Sequence, residues 1–270
     1  GSYAKLLLVF LPVSLLLFSF RQYETILWGQ AGIGTYLMIF GTVATFTLLE
    51  LSKKIDVRLV LSLLSAILAS FSFAIGLMVW PVGFLQVLIS EKGRDLRKAA
   101  LWCFVGAITF ASYLYGYVKP GHHPPLNYVV TAPLDAARYF LAYIGAAFSY
   151  DAVMAEVFGL VITLIAFFVI IHALKGKLLI RNGVWFSLIL FVALSSLATT
   201  VGRSGFGIGQ ALSSRYTPVT ILGIVGLYLL AVSISEKSPA KSKSFGAHAL
   251  LTIILLGVIV SYSVYWQAGQ

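Results

Sequence analysis

Four side chains in short polar segments between long apolar runs are candidates for a general acid or base. They are Glu24, His122, His123 and Asp135. A carboxylate or an imidazole in such a place can take the proton of an attacking hydroxyl group. The histidines belong to the proline-rich segment "KPGHHPPLN", for which an ordinary solvated loop is the alternative interpretation. Adjacent residues of an extended segment point in opposite directions, so the two histidines are not expected to share a metal ion.

Cationic side chains in the same kind of segment are candidates for binding phosphate. They are Lys119, Arg203 and Arg215. The two arginines bracket the glycine-rich segment "GRSGFGIGQALSSRY", whose backbone N–H groups and guanidinium groups have the chemistry of an anion-binding loop. A purely structural turn is the alternative. The segment is not a dinucleotide-binding fingerprint, because no strand is predicted before it and its glycine spacing differs.

Three further ionisable residues are candidates with plainer alternatives. Arg21 either belongs to a site or anchors the chain at lipid headgroups. Arg138 either belongs to a site or forms a helix-surface ion pair with Asp135, three positions earlier. Glu156 lies inside an apolar run, where a carboxylate costs free energy unless it is paired, and this marks it as a functional candidate.

The composition predicts an integral membrane protein. Hydrophobic residues make up 60% of the chain and charged residues 10%, whereas about a quarter of an ordinary soluble domain is charged. The mean hydropathy is +0.96. Long apolar runs without the alternation of barrel strands predict an all-α fold, a polytopic bundle of transmembrane helices in one domain over residues 1–270. The chain begins Gly-Ser without a methionine, and we expect it to be a piece of a longer protein or a processed form.

Nine apolar segments predict membrane-spanning helices. They lie near 5–20, 27–49, 59–75, 77–90, 99–118, 151–173, 183–200, 217–235 and 248–266. The third and fourth form one uninterrupted apolar run, which we interpret as two short helices that turn near Gly76, or as a re-entrant pair. The first segment is interpreted as a span, because no small-x-small cleavage site of a signal peptide follows it.

The positively charged residues predict the orientation. Of the 19 lysines and arginines, all but Arg21, Lys119, Arg138, Arg203 and Arg215 fall on one side of the predicted spans. The positive-inside rule makes the rich side cytoplasmic and the poor side, which holds the candidate residues, extracytoplasmic. The net charge of +10 is therefore mainly a topology signal and does not indicate nucleic-acid binding.

Residues 119–150 form the longest predicted connection, on the extracytoplasmic side. Its first part, "KPGHHPPLN", cannot be helical because of its three prolines, and we interpret it as an extended strap. The second part, "TAPLDAARYFLAYIGAAF", has helical spacing of apolar residues and predicts an interfacial helix on the outer leaflet. The single Cys103 lies in a predicted span, so no disulfide or cysteine metal site is expected within the chain. No metal and no cofactor are predicted.

Several longer phrases carry a resemblance to a family of large, multi-pass bacterial membrane proteins that are mostly uncharacterised. The phrases are "RQYETILWGQ", "FSFAIGLMVWPVGFL", "YGYVKPGHHPP", "LDAARYFLAYIGAAF" and "GRSGFGIGQALSSRYTP". More loosely, the architecture is similar to the C-type glycosyltransferases and the O-antigen ligases. The resemblance implies a bacterial inner-membrane protein that transfers a sugar from a polyprenyl-phosphate or diphosphate carrier to a cell-envelope acceptor.

This resemblance implies roles for the candidate residues and departs from the C-type pattern in one respect. It implies an acid or base among Glu24, His122, His123 and Asp135, and carrier phosphate bound by Lys119, Arg203 and Arg215. C-type enzymes carry an acidic motif in their first outer loop, where this chain has Glu24 alone. The expected partners are membrane lipid and a lipid-linked sugar, with membrane-protein partners in the alternatives. Those alternatives are a transporter of lipids or lipid-linked sugars and a noncatalytic subunit of a larger membrane complex.

Overall fold

The computed structural model of this chain describes residues 2–89, 95–175 and 182–236, together with Ile254 and Gly257. These ranges are helical and contain no β-strand. The α-helices are α1 (Ser2–Leu17), α2 (Tyr23–Leu27), α3 (Gly29–Leu51), α4 (Val57–Ser72), α5 (Val79–Ile89), α6 (Leu96–Leu114), α7 (Tyr128–Thr131), α8 (Pro133–Gly145), α9 (Ala152–Lys175), α10 (Gly183–Arg203), α11 (Ile208–Ala211) and α12 (Thr217–Glu236). Short 3-10 turns cover Phe20–Gln22, Ala74–Met78, Ser204–Phe206 and Ser214–Tyr216. The all-α prediction is confirmed for these ranges.

Helices occupy eight of the nine predicted spans, but only some are long and apolar enough to cross a membrane. Four helical stretches meet that requirement: Gly29–Leu51, Ala152–Leu174, Gly183–Phe206 and Ser214–Ser235. The ninth predicted span, 248–266, lies outside the described residues apart from Ile254 and Gly257. Nine spans are therefore not established, and the structure supports a helical membrane protein with four candidate spanning helices.

The predicted turn near Gly76 is confirmed. Helix α4 ends at Ser72, Phe73 is extended with φ −157° and ψ 140°, and a 3-10 turn leads into α5. A Cβ atom on Gly76 would lie 2.0 Å from the carbonyl oxygen of Ala69, so only glycine fits where the chain folds back. At about 1.5 Å per residue, α4 is about 24 Å long and α5 about 16 Å, both shorter than the roughly 30 Å hydrocarbon core.

Polar contacts join α3, α5 and α6 at one end of the bundle. The buried ammonium group of Lys98 donates to the carbonyl oxygens of Leu49 at 3.3 Å and Ser52 at 3.0 Å, which cap the end of α3. Gln86 donates from Nε2 to Oε2 of Glu50 at 3.1 Å. These are the helix ends that the positive-inside rule assigns to a common side, and the structure brings them together.

Helix α8 lies at the opposite end and packs tightly on α9. A Cβ on Gly145 would lie 1.9 Å from the carbonyl oxygen of Ala155, and a Cβ on Gly159 would lie 1.9 Å from that of Leu141. The predicted helix is confirmed, but it is not a separate element tethered by the strap, because one of its faces is buried in the bundle. Contact with the outer leaflet remains a prediction for its exposed face.

Candidate functional site

A cavity of about 420 Å³ lies at the end of the bundle remote from Lys98. It is bounded by the start of α3, the turn before α5, the strap, the end of α10 and the segment that precedes α12. The lining residues are Trp28, Ala31, Thr35, Phe73, Ala74, Ile75, Met78, Tyr117, His123, Ala198, Thr199, Gly202, Arg203, Arg215 and Tyr216. We call it the donor cavity, after the hydrogen-bond donors of its two arginines. It contains two of the three predicted phosphate-binding residues and one of the four predicted acid–base residues.

The backbone after α10 explains why Arg203 and Arg215 face one cavity. Arg203 is the last residue of α10, and a 3-10 turn follows it. Gly207 has φ +88°, a conformation that glycine adopts without strain, and there the chain enters the short α11. A second 3-10 turn contains Arg215 and leads directly into α12. The glycine-rich segment therefore reverses the direction of the chain and places Arg215 in the same cavity as Arg203.

The guanidinium groups of the donor cavity have no acceptor among the residues that the structure describes. Within the ranges that the structure describes, the side chains of Arg203 and Arg215 form no hydrogen bond and no ion pair, and Nε of Arg215 is buried without an acceptor. The guanidinium carbon of Arg215 lies 5.2 Å from the ring centroid of Tyr216. A buried donor without an acceptor costs about 1–3 kcal/mol, so an anionic occupant would be stabilised here.

The strap packs against the glycine-rich segment and places His123 in the donor cavity. The ring centroids of His123 and Phe206 are 5.8 Å apart. A Cβ on Gly205 would lie 2.5 Å from Cβ of Pro124, so the two segments are in close contact. Lys119 is exposed and donates from Nζ to the carbonyl oxygen of Pro124 at 2.6 Å. Lys119 thus braces the strap and does not line the cavity.

The environment of His123 favours a neutral imidazole. Partial burial lowers the pKa of His123 below its ordinary value, and the positive charges of Arg203, His122 and Lys119 lower it further. At neutral pH the ring can therefore accept a proton.

His122 is exposed and does not line the donor cavity. Its ring centroid lies 4.7 Å from that of His123, so the expectation that the two rings point in opposite directions is wrong. The turn between Pro120 and His123, closed by a backbone hydrogen bond of 3.0 Å, is the reason, since it removes the extended geometry. Among the described residues no group of three histidine, cysteine or acidic side chains could hold a metal ion.

A second cavity of about 570 Å³ adjoins the first, and we call it the Glu24 cavity. Its lining residues are Tyr23, Glu24, Leu27, Trp28, Ser213 and Arg215. The carboxylate of Glu24 accepts a hydrogen bond from Oγ of Ser213 at 3.2 Å, and its backbone N–H donates to Oγ of Ser214 at 3.0 Å. Trp28 and Arg215 line both cavities and form the wall between them.

Three other candidate residues lie outside both cavities. Arg138 donates from Nε and Nη2 to the two carboxylate oxygens of Glu156, each at 3.1 Å. Asp135 instead accepts a hydrogen bond from the hydroxyl group of Tyr128 at 3.2 Å. The expected pair of Arg138 with Asp135 is therefore replaced by a pair between α8 and α9, which also satisfies the carboxylate inside the apolar run.

Arg21 is fully buried, so its interpretation as a headgroup anchor is wrong. Nε donates to the carbonyl oxygen of Ala146 at 2.7 Å and Nη2 to that of Leu212 at 3.0 Å. The guanidinium carbon lies 3.4 Å from the ring centroid of Tyr150. Arg21 therefore joins the 3-10 turn after α1 to the segments that follow α8 and α11.

Sequence reasoning missed the aromatic walls of the donor cavity. Trp28, Phe73, Tyr117 and Tyr216 line it together with the arginines. The sequence could have indicated two of these aromatic residues, because they lie beside predicted phosphate-binding residues. Tyr117 stands two residues before Lys119, and Tyr216 directly follows Arg215.

No protein-family model matches this chain, and neither the curated proteins nor the solved structures give a match. The two cavities are therefore the features of the chain that indicate its function.

Proposed function

We propose that the protein binds a lipid-linked sugar by its phosphate in the donor cavity and transfers the sugar to a hydroxyl acceptor on the extracytoplasmic side. The observation that supports this most directly is the presence of two guanidinium groups without protein acceptors in one partly aromatic cavity. Such a cavity is suited to an amphiphile, because the arginines bind the phosphate and the apolar walls contact the adjoining hydrocarbon.

The charge of the donor cavity favours an anion over a zwitterion. Its lining contains Arg203, Arg215 and a largely neutral His123, and no acidic side chain is among the described residues of the lining. A zwitterionic phospholipid would place its own cation in this positive field. A polyprenyl phosphate or diphosphate linked to a neutral sugar is the lipid class that fits better.

The adjacency of the two cavities supports a transfer reaction. An acceptor hydroxyl in the Glu24 cavity attacks the anomeric carbon, and the bond between that carbon and the phosphate oxygen breaks. The phosphate oxygen leaves with the electron pair, and Arg203 and Arg215 stabilise its charge. Glu24 takes the proton of the acceptor hydroxyl. The products are the glycosylated acceptor and the free lipid phosphate.

The proposed setting is the bacterial inner membrane, with an acceptor in the cell envelope. The four long apolar helices indicate a membrane protein. Nucleotide sugars are cytoplasmic, so a reaction at the extracytoplasmic face requires a donor that is attached to lipid.

Arg203→Ala and Arg215→Ala should each weaken lipid-phosphate binding by about tenfold or more, the value of a charge-assisted hydrogen bond. Native mass spectrometry of the purified protein with a short polyprenyl phosphate would measure it. Arg97→Ala is the matched control, because Arg97 is exposed and follows the capping residue of α6 near Lys98. Binding that is equal in all four proteins would contradict the phosphate site.

Glu24→Gln separates binding from transfer in the same preparation. It should retain the lipid phosphate, because Glu24 does not line the donor cavity. In membranes that contain the acceptor, it should lose the release of free lipid phosphate from a supplied polyprenyl-phosphate sugar. If the parent binds the lipid without ever releasing phosphate, the protein is a carrier or subunit and the transfer step is wrong.

A further inference from the structure

A short chain of hydrogen bonds leads from the buried face of α8 to the wall of the donor cavity. The hydroxyl group of Tyr139 on α8 bonds to Oε1 of Gln210 on α11. Gln210 donates in turn from Nε2 to the hydroxyl oxygen of Tyr216 at 2.9 Å. Tyr216 lines the donor cavity together with Arg203 and Arg215.

The direction of this chain is fixed by its buried end. Tyr139 has no exposed surface, and Gln210 is its only side-chain hydrogen-bond partner within the described ranges. Its hydroxyl proton must therefore go to the amide oxygen of Gln210, since any other arrangement buries an unsatisfied O–H group. The amide nitrogen is then the group that faces Tyr216.

The hydroxyl oxygen of Tyr216 therefore accepts the hydrogen bond from Gln210, and the hydroxyl proton of Tyr216 remains available for another acceptor. A tyrosine hydroxyl has one proton to donate, and the bond from Gln210 does not use it. Within the described part of the chain no other acceptor receives that proton. The ring itself is held in place, because the ring of Tyr143 packs on it at a centroid distance of 5.0 Å.

We propose that Tyr139 and Gln210 are positioning residues that orient the Tyr216 hydroxyl as a third donor to the bound phosphate. The inference rests on the proposed function, since it adds a ligand contact to the donor cavity. It also deepens the specificity of that cavity. An ionised phosphate oxygen only accepts hydrogen bonds, so a donor that cannot reverse its direction favours it over an occupant that presents an ammonium or N–H donor at the same place.

Removing the hydroxyl group of Tyr139 should exchange the donor and acceptor roles of Gln210 and Tyr216. In Tyr139→Phe the amide oxygen of Gln210 loses its donor, and the amide gains by rotating so that its oxygen accepts from Tyr216. Tyr216 then donates to Gln210 and no longer to the ligand. A substitution that does not touch the cavity thus removes a contact inside it.

A double-mutant cycle with a short polyprenyl phosphodiester tests this. Tyr216→Phe should weaken binding about tenfold, the value of one hydrogen bond to a charged acceptor. Tyr139→Phe should weaken it by a similar factor, and the double variant no further than either single one. Tyr228→Phe is the matched control, because Tyr228 is a buried tyrosine of α12 that does not line the donor cavity and forms no side-chain hydrogen bond within the described ranges. It should bind like the parent.

Additive effects of Tyr139→Phe and Tyr216→Phe on binding would overturn the proposal that Tyr139 and Gln210 orient the Tyr216 hydroxyl. Parent-like binding by either variant would also overturn it. If Tyr139→Phe does not fold, the difference infrared spectrum of the parent on adding the phosphodiester still tests whether Tyr216 donates to the ligand. The tyrosine C–O stretch should change and the change should be absent from Tyr216→Phe; an unchanged spectrum overturns the donor role. Arg203→Ala and Arg215→Ala separate the two proposals, since their parent-like binding would overturn the phosphate site itself.

Discussion

His123 and His122 are adjacent in sequence and differ in what surrounds them. His123 lies in the donor cavity beside Arg203, whereas His122 is exposed. Burial and neighbouring positive charge lower the pKa of His123. An anion bound in the cavity would offset that charge and raise the pKa again. Between the two pKa values, binding takes up one proton, so the affinity for the anion must rise as the pH falls through this window.

We therefore expect phosphodiester affinity to increase as the pH is lowered from 7.5 to 5.5, below the ordinary histidine pKa of about 6.5. A diester is the suitable ligand, since a phosphate monoester titrates in the same range with a pKa near 6. Calorimetry at several pH values measures the effect. His123→Gln should abolish the increase and His122→Gln should retain it; the reverse result would move the titrating group out of the cavity.

At the scale of single residues, the sequence predicted which side chains could bind an anion better than it predicted where each side chain lies in the fold. Arg203 and Arg215 were assigned together because they bracket a glycine-rich turn, and local backbone geometry is sufficient to bring them into one cavity. Arg21 was not predictable in this way. Its acceptors are the carbonyl oxygens of Ala146 and Leu212, which lie more than a hundred residues further along the chain. The sequence around Arg21 contains no pattern that predicts these contacts.

At the scale of helices, the pair α8 and α9 depends on two glycines. Gly145→Ala or Gly159→Ala would place a methyl group within 1.9 Å of a backbone carbonyl oxygen. Backbone cannot move aside as a side chain can, so each should lower the free energy of unfolding by about 2 kcal/mol or more.

Thermal unfolding in detergent measures the effect. Gly29→Ala is the matched control, because no atom of the described structure lies within 4 Å of its Cβ position. A melting temperature of Gly145→Ala equal to that of Gly29→Ala would show that α8 does not pack on α9 as described.

Helix positions followed from hydropathy, because a spanning helix must be apolar along most of its length. The packing of α8 did not follow. An apolar face is equally suited to lipid and to a neighbouring helix, and residues 133–145 satisfy both interpretations in sequence. The close approach of Gly145 and Gly159 decides between them for one face, and it is visible only when both helices are placed.

At the scale of the whole molecule, the chain has two chemically different ends. Lys98, Glu50 and Gln86 mark one end, and the two cavities mark the other. The positive-inside rule predicts that the cavity end is extracytoplasmic. For the proposed function, the orientation decides whether a lipid-linked or a nucleotide-linked sugar could reach the cavities.

Thiol labelling tests this orientation. In a Cys103→Ser background, Gly121→Cys on the strap should react with a membrane-impermeant maleimide in intact cells. Lys54→Cys, between α3 and α4, should react only after permeabilisation. Both positions are exposed, and Gly121 has open space around its Cβ. Exclusive labelling of Lys54→Cys in intact cells would reverse the topology and exclude an extracytoplasmic donor site.

The shared wall between the cavities makes their occupants thermodynamically interdependent. Arg215 lines both, so a charge placed in one cavity alters the field and the side-chain orientation that the other cavity presents. By reciprocity, whatever factor the first occupant applies to the affinity of the second, the second applies to the first. Two occupants can therefore bind cooperatively through one arginine, in either order, without a lid and without movement of the backbone.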